Sequence, residues 1–149
     1  MNKLDVVPFS VEHLDLVDIR KIELDNIFSL PGAKERYAMF AQVSAQAFTF
    51  IVDDVILFCA GIIMLWPGVA DIWMIPSEHT KKHEFLFYRT VRGYLSVLPE
   101  TFKLHRLQTT SYDDTFHEKW MTKLRFKKEG VMHKYLHNKN NMVVYARTF

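Results

Sequence analysis

The 149-residue sequence is poor in the residues that build covalent or metal-dependent chemistry. It has a single cysteine, Cys59, so no disulfide framework and no paired-thiol metal site can form. That cysteine lies in the apolar run Val55 to Trp66, where the expected reading is a small buried hydrophobe rather than a nucleophile. Gly-x-Ser-x-Gly, Gly-x-Gly-x-x-Gly and a phosphate-binding loop ending in Gly-Lys-Ser/Thr are all absent, which removes support from serine-hydrolase, dinucleotide and P-loop readings. His79 and His83 are four apart, but the glutamate of His-Glu-x-x-His and a third ligand are missing, so no metal is expected. The longest apolar run, Val55 to Val69, is interrupted by Gly61, Pro67 and Gly68 and is too short to cross a bilayer. No basic segment leading into an apolar core opens the chain, so a soluble protein of a reducing, cytoplasmic compartment with no membrane partner is expected.

What is present fits one domain spanning 1–149, with 49% hydrophobic residues supplying a sizeable core. Net charge is only +2, yet residues 1–75 carry net −5 and residues 76–149 net +7. His79, Lys81, Lys82, His83, Arg89 and Arg92 crowd the start of the basic half. A polyanionic cofactor, nucleic acid and an ordinary solvated helix face all suit such a cluster, and nucleic acid is the least favoured partner. Trp66, Trp73, Met74, Phe87 and Tyr88 add aromatic and apolar weight beyond the usual need of a small core, which leaves room for a cleft or for a homodimer interface.

Hydrophobic periodicity gives the elements. Asp5 to Phe9 reads as a strand, and Val11 to Ile27 as a helical region with Ser10 as N-cap. A Pro31-Gly32 turn precedes a helix from Ala33 to Gln46. Strands Phe48 to Val52 and Val55 to Trp66 meet at Asp53-Asp54, a hairpin turn without glycine. After Pro67-Gly68 comes a strand from Ala70 to Ile75, then a helix from Phe85 to Leu98 whose Phe85, Tyr88, Val91 and Leu95 share a face and which Pro99 ends. Leu107 and Thr109 alternate with Arg106 and Gln108 as a strand requires; Phe116, Trp120, Met121 and Leu124 then recur at helical spacing, and a long bent strand and a last strand follow.

This order, and above all Lys-Leu-Arg-Phe-Lys-Lys-Glu-Gly at the exit of the last helix, resembles the GNAT superfamily of N-acetyltransferases, whose matching segment runs Glu-Lys-Leu-Gly-Phe-x-x-Glu-Gly. The resemblance implies an α/β fold with a mixed, mostly antiparallel central sheet of about seven strands flanked by about four helices. It implies acetyl-CoA as co-substrate and an amine of a small molecule or protein as acceptor. Trp-Met-Ile-Pro-Ser, followed by an unglycinated loop and a Phe/Tyr-rich helix, also resembles divergent GNAT-like proteins of tailed bacteriophages. That second resemblance implies a location in host cytoplasm or in the virion, and an alternative role as a non-catalytic virion component or host-protein binder.

Three departures from the family pattern bear on the site. The fourth strand is usually followed by a glycine-rich loop whose amides hold the pyrophosphate; here Pro76 to Glu84 contains no glycine. The resemblance then assigns cofactor contacts to Ile75, Ser77, His79, Lys81, Lys82 and His83, with lysine charge and the helix dipole standing in for lost amides. Asp114 falls where the family has an asparagine that touches the pantetheine arm, and His117 where a small residue is common. Met121 occupies the position of the family's tyrosine acid, and a thioether cannot donate a proton. Tyr112 is the substitute donor, while Asp71 and Glu78 are the acids placed to orient a water toward the amine. Arg125 replaces the glycine of Leu-Gly-Phe, a strained choice if that position is left-handed.

Overall fold

The structure, a computed structural model, describes residues 3–149. Its strands are β1 (Leu4–Pro8), β2 (Gln46–Val52), β3 (Val55–Trp66), β4 (Val69–Pro76), β5 (Arg106–Tyr112), β6 (Lys127–Met132) and β7 (Met142–Thr148). Its α-helices are α1 (Lys21–Asp25), α2 (Ala33–Val43), α3 (Glu84–Thr101) and α4 (Thr115–Lys123), with single 3-10 turns at Val11–Asp15, Ile27–Ser29 and Glu78–Thr80. The seven strands form one mostly antiparallel sheet in the order β1-β2-β3-β4-β5-β7-β6. This is the fold class expected from the order of elements. Among the described residues, 3–63 and 73–91 make one compact unit and 64–72 and 92–149 another, so β3, β4 and α3 each contribute to both.

In the first unit β1, β2 and β3 form an antiparallel meander, with Leu4 opposite Val52 and Phe50 opposite Phe58. The turn between β2 and β3 is only Asp53 and Asp54, at φ 47° and 67°. Two left-handed residues match the right-handed twist of a tight hairpin, and aspartate tolerates that conformation better than most side chains. Leu14, Val17, Tyr37, Ile56, Cys59, Trp73 and Ile75 form the core. Trp73 packs so close to Gly61 that a Cβ there would lie 2.4 Å from the indole, and its Nε1 donates to Ser44 Oγ at 2.9 Å. Glycine at 61 is therefore a requirement of packing.

A polar chain crosses this core. Ser10 N–H donates to His13 Nδ1 at 3.1 Å, and Thr49 Oγ1 lies 2.7 Å from the same nitrogen. A backbone amide can only donate, so Nδ1 is the bare nitrogen and the Thr49 hydroxyl donates to it. Thr49 then accepts from the Cys59 thiol at 3.5 Å. Burial pushes that thiol up to about 11, so it stays protonated and inert, as the sequence implied. The helical region expected over residues 11–27 is broken into a 3-10 turn that closes at Leu16, with His13 reaching back to Ser10, and the five-residue α1, before which Arg20 is an extended N-cap.

In the second unit β5 pairs with β7 along its whole length, from Arg106–Thr148 to Tyr112–Met142. β6 pairs with β7 through an irregularity between Lys128 and Gly130, the bend expected of that strand. Arg125 sits at φ 66°, in the left-handed region, which is the strained conformation considered for it. The final turn of α3 corrects the expected boundary, because Pro99 lies inside the helix and the chain continues to Thr101. Proline forfeits only its own N–H bond there, and its carbonyl accepts from Leu104 N at 2.8 Å. The expected apolar face of α3 holds at Val91 and Leu95, both fully buried, but not at Phe85, which is 75% exposed.

Replacing Asp54 with glycine should stabilise the protein by about 1 kcal/mol, since it removes a side chain from a left-handed position of a two-residue turn. Thermal denaturation of Asp54→Gly checks this, and a lower melting temperature would contradict it.

Candidate functional site

The segment from Ser77 to His83 joins β4 to α3, and its backbone is bonded almost completely within the protein. Ser77 N–H reaches Leu57 O at 2.9 Å and Glu78 N–H reaches Asp18 O at 2.8 Å. His79 N–H bonds Ser77 Oγ at 3.2 Å. Thr80 N–H bonds Ser77 O at 3.2 Å, Lys81 N–H bonds Glu78 O at 3.3 Å, and His83 N–H bonds His79 O at 3.2 Å. The cause lies in the sequence. Without glycine the chain does not take left-handed turns here and folds as a 3-10 turn capped by Ser77, and such a turn uses its own amides.

Side chains of the segment are also partly committed. The Glu78 carboxylate lies 2.9 Å from Lys81 Nζ and accepts Lys21 N–H at 3.0 Å. The Lys81 bond first, then the Lys21 amide, hold that carboxyl below its ordinary range. His79 Nε2 lies 3.8 Å from Asp18 Oδ2. His79 also lines a cavity of about 300 Å³ together with His13, Leu16, Ile51, Asp54, Val55 and Ile56. Among the described residues Lys82 makes no ion pair and projects into solvent. Ile75, at the end of β4, is buried.

The donors left for an anion belong to α3. Phe87 is the first residue of the helix to bond backwards, to His83 O at 2.8 Å, so Glu84, Phe85 and Leu86 stand in the turn whose amides have no intrahelical acceptor. A diphosphate thus fits the first turn of α3 and the Lys82 ammonium. It does not fit the amides of Ser77 to Lys81, which face inward.

In the second unit the site candidates gather at the junction of β5 and α4. Asp114 is the N-cap of α4, where its Oδ1 accepts His117 N–H at 2.7 Å. Both its oxygens lie 2.8 Å from His117 Nδ1. The carboxylate therefore fixes the imidazole and the first turn of the helix together. The Tyr112 ring meets the imidazole edge-on, at 5.2 Å between centroids and 67° between planes. Tyr112, His117 and Met121 are all buried.

Asp71 is not part of this group. It pairs with Gln108 at the last step of a parallel β4–β5 ladder that comprises only Val69–Arg106, Ala70–Leu107 and Asp71–Gln108. Four residues of β5 separate that step from Tyr112, or about 13 Å at ordinary strand rise. Asp71 lies instead within the field of Arg106, whose guanidinium makes two bonds to Glu129, at 3.0 and 2.5 Å. Just beyond the ladder, Thr109 Oγ1 donates to Ile72 O at 2.8 Å. Sequence reading missed this bond. The only signal for it was a threonine in an alternating strand.

No protein-family model matches the sequence, and no curated protein matches it. Solved structures match over nearly the whole chain. Ard1 from Thermoplasma volcanium is similar at 11% identity and TM-score 0.78, covering 97% of each chain. An acetyltransferase of the GNAT family from Bacillus anthracis is similar at 16% identity and TM-score 0.70, covering 97% of this chain and 94% of that one. The aminoglycoside acetyltransferase AAC(6')-Ib, solved in complex with coenzyme A, is similar at 14% identity and TM-score 0.69, covering 98% and 95%. The strand order, the junction of β4 with a long helix and these likenesses together establish that the chain has the fold of the GNAT acetyltransferases.

Proposed function

We propose that the domain is an acetyl-CoA-dependent N-acetyltransferase acting on an amine of a small molecule or protein. The observation that carries the reading is the passage of β4, through the Ser77-capped turn, into an 18-residue helix whose first-turn amides stand beside the Lys82 charge. A helix start of this kind suits a diphosphate. The fold is shared with acetyltransferases, one of them solved with coenzyme A.

Acetyl-CoA would supply the acetyl thioester, which the amine attacks to form an amide and release a thiol. The chain's residues have two tasks: holding the diphosphate and moving one proton from the amine side to the sulfur side. Lys82 and the amides of Glu84 to Leu86 take the first, with Lys81 less available because Glu78 holds it. His79 and His83 flank them in the sequence, and the family resemblance assigns Asp114 and His117 to the pantetheine arm. Tyr112 is the proton donor to the departing sulfur; its burial favours a short, direct transfer, and Met121 has no proton to give. The amide near Ile75 would steady the oxyanion. Asp71 acts on the amine only through water, given its separation from Tyr112. Glu78 is weakened as a base, because two donors already stabilise its charged form.

A second reading, a GNAT-fold protein without catalysis that binds a host protein or builds a virion, is favoured by two observations. The loop amides are consumed internally, and a buried histidine held by Asp114 stands at the small-residue position. Thiol release from acetyl-CoA across a panel of primary amines separates the readings. The enzyme reading expects turnover that Tyr112→Phe lowers at least tenfold with little change in cofactor affinity, because only a transition-state role is removed. Absence of thiol release with every amine would favour the binder.

The two lysines are expected to differ. Lys82→Glu should weaken coenzyme A binding several-fold more than Lys81→Glu, since the Lys81 charge is already offset by Glu78. Calorimetric titration of both variants checks this, and equal losses would remove the distinction.

A further inference from the structure

Phe85, the second residue of α3, is the most exposed large hydrophobic side chain among the described residues, at 75%. It is not left loose. The Arg89 guanidinium, one helical turn further on, lies 5.8 Å from the ring centroid, a cation–π contact that holds the ring upright while leaving most of its surface in water. Side chains of a helix lean toward its N-terminus, so the ring overhangs the same first turn whose amides lack intrahelical acceptors. Lys82 and His83 immediately precede it. The acids closest in sequence are Glu78, held by Lys81, and Glu84, and among the described residues neither Lys82 nor Arg89 makes an ion pair. A flat apolar face, a guanidinium and phosphate-binding donors within one turn match a nucleotide: a base to stack, with phosphates on either side of its ribose.

We propose that Phe85, braced by Arg89, seats the adenine ring of coenzyme A, with Arg89 meeting the phosphate on the ribose. The proposal rests on the acetyl-CoA reading above and deepens it. It explains how a loop that has turned its amides inward keeps its hold on the cofactor: base stacking and side-chain charge replace backbone donors. The adenine half alone therefore carries much of the affinity.

The test compares coenzyme A, adenosine 3′,5′-bisphosphate and 4′-phosphopantetheine by calorimetry, on the unaltered protein and on Phe85→Ala, Phe85→Trp and Arg89→Ala. Because Phe85 is exposed, its truncation leaves the fold intact, which circular dichroism verifies. The unaltered protein is expected to bind the bisphosphate without any pantetheine arm. Phe85→Ala should lose roughly tenfold or more for coenzyme A and the bisphosphate, as truncation of a stacking platform does, and nothing for phosphopantetheine. Phe85→Trp should restore binding, and Arg89→Ala should lose more for coenzyme A than for its 3′-dephospho form. Coenzyme A bound equally well by Phe85→Ala overturns the proposal and leaves the acetyl-CoA reading standing. No binding of coenzyme A to the unaltered protein overturns both, and so does capture of single-stranded oligonucleotides in its place.

Discussion

The absence of glycine between Pro76 and Glu84 is the constraint on which the functional site depends. A glycine-rich loop can turn its amides outward by visiting left-handed conformations, whereas this segment folds as a 3-10 turn and spends the amides of Ser77 to Lys81 on its own carbonyls, on the Ser77 hydroxyl, on Leu57 and on Asp18. Everything that meets an anion here must then come from the next donors along the chain, the first turn of α3 and the side chains around it. On the proposed reading, Lys82, Arg89 and Phe85 take the roles that amides carry in a glycine-rich loop.

Such a loop is only useful if its position is fixed, and the first unit fixes it from beneath. Trp73 lies against Gly61 with no room for a methyl group and is tied to Ser44, so β4 cannot slide along β3. The Cys59–Thr49–His13 chain of buried polar contacts pins the first 3-10 turn to β2 and β3. From that turn the chain leads to Asp18 and Ile19, which bond Glu78 and bridge Ser77. Core packing, buried polar bonds and the loop are thus one mechanical sequence, running from Cys59 to Ser77.

Much of the fold was legible because its signals are local. A continuous apolar run marked Val55 to Trp66 residue for residue, Pro67-Gly68 marked the next turn, and Asp53-Asp54 marked a hairpin despite lacking glycine. The Leu-Arg-Phe segment pointed to a left-handed arginine, and Arg125 is one. Signals that failed were those that depend on partners distant in sequence. Pro99 did not stop α3, because the last helical turn tolerates a missing donor. Phe85 fell on the apolar arc of a helical wheel, yet a wheel does not show that the helix begins before its packing does. The bonds that occupy the loop amides come from Leu57 and Asp18 as well as from within the loop, and no motif announces them. The pairing of Asp114 with His117 was closer to hand, since an N-cap and the residue three later commonly bond, whereas the family resemblance makes each a separate cofactor contact.

The central claim is that this folded domain binds coenzyme A through the start of α3. Thermal denaturation with increasing coenzyme A tests it most directly, because a ligand that binds only the folded state stabilises it by mass action. At a hundred times its dissociation constant the gain is about 2.7 kcal/mol, a rise of several degrees in a chain of this size. The account expects the melting temperature to climb with the logarithm of coenzyme A concentration once the site is saturated. An unchanged melting temperature at millimolar coenzyme A would contradict it.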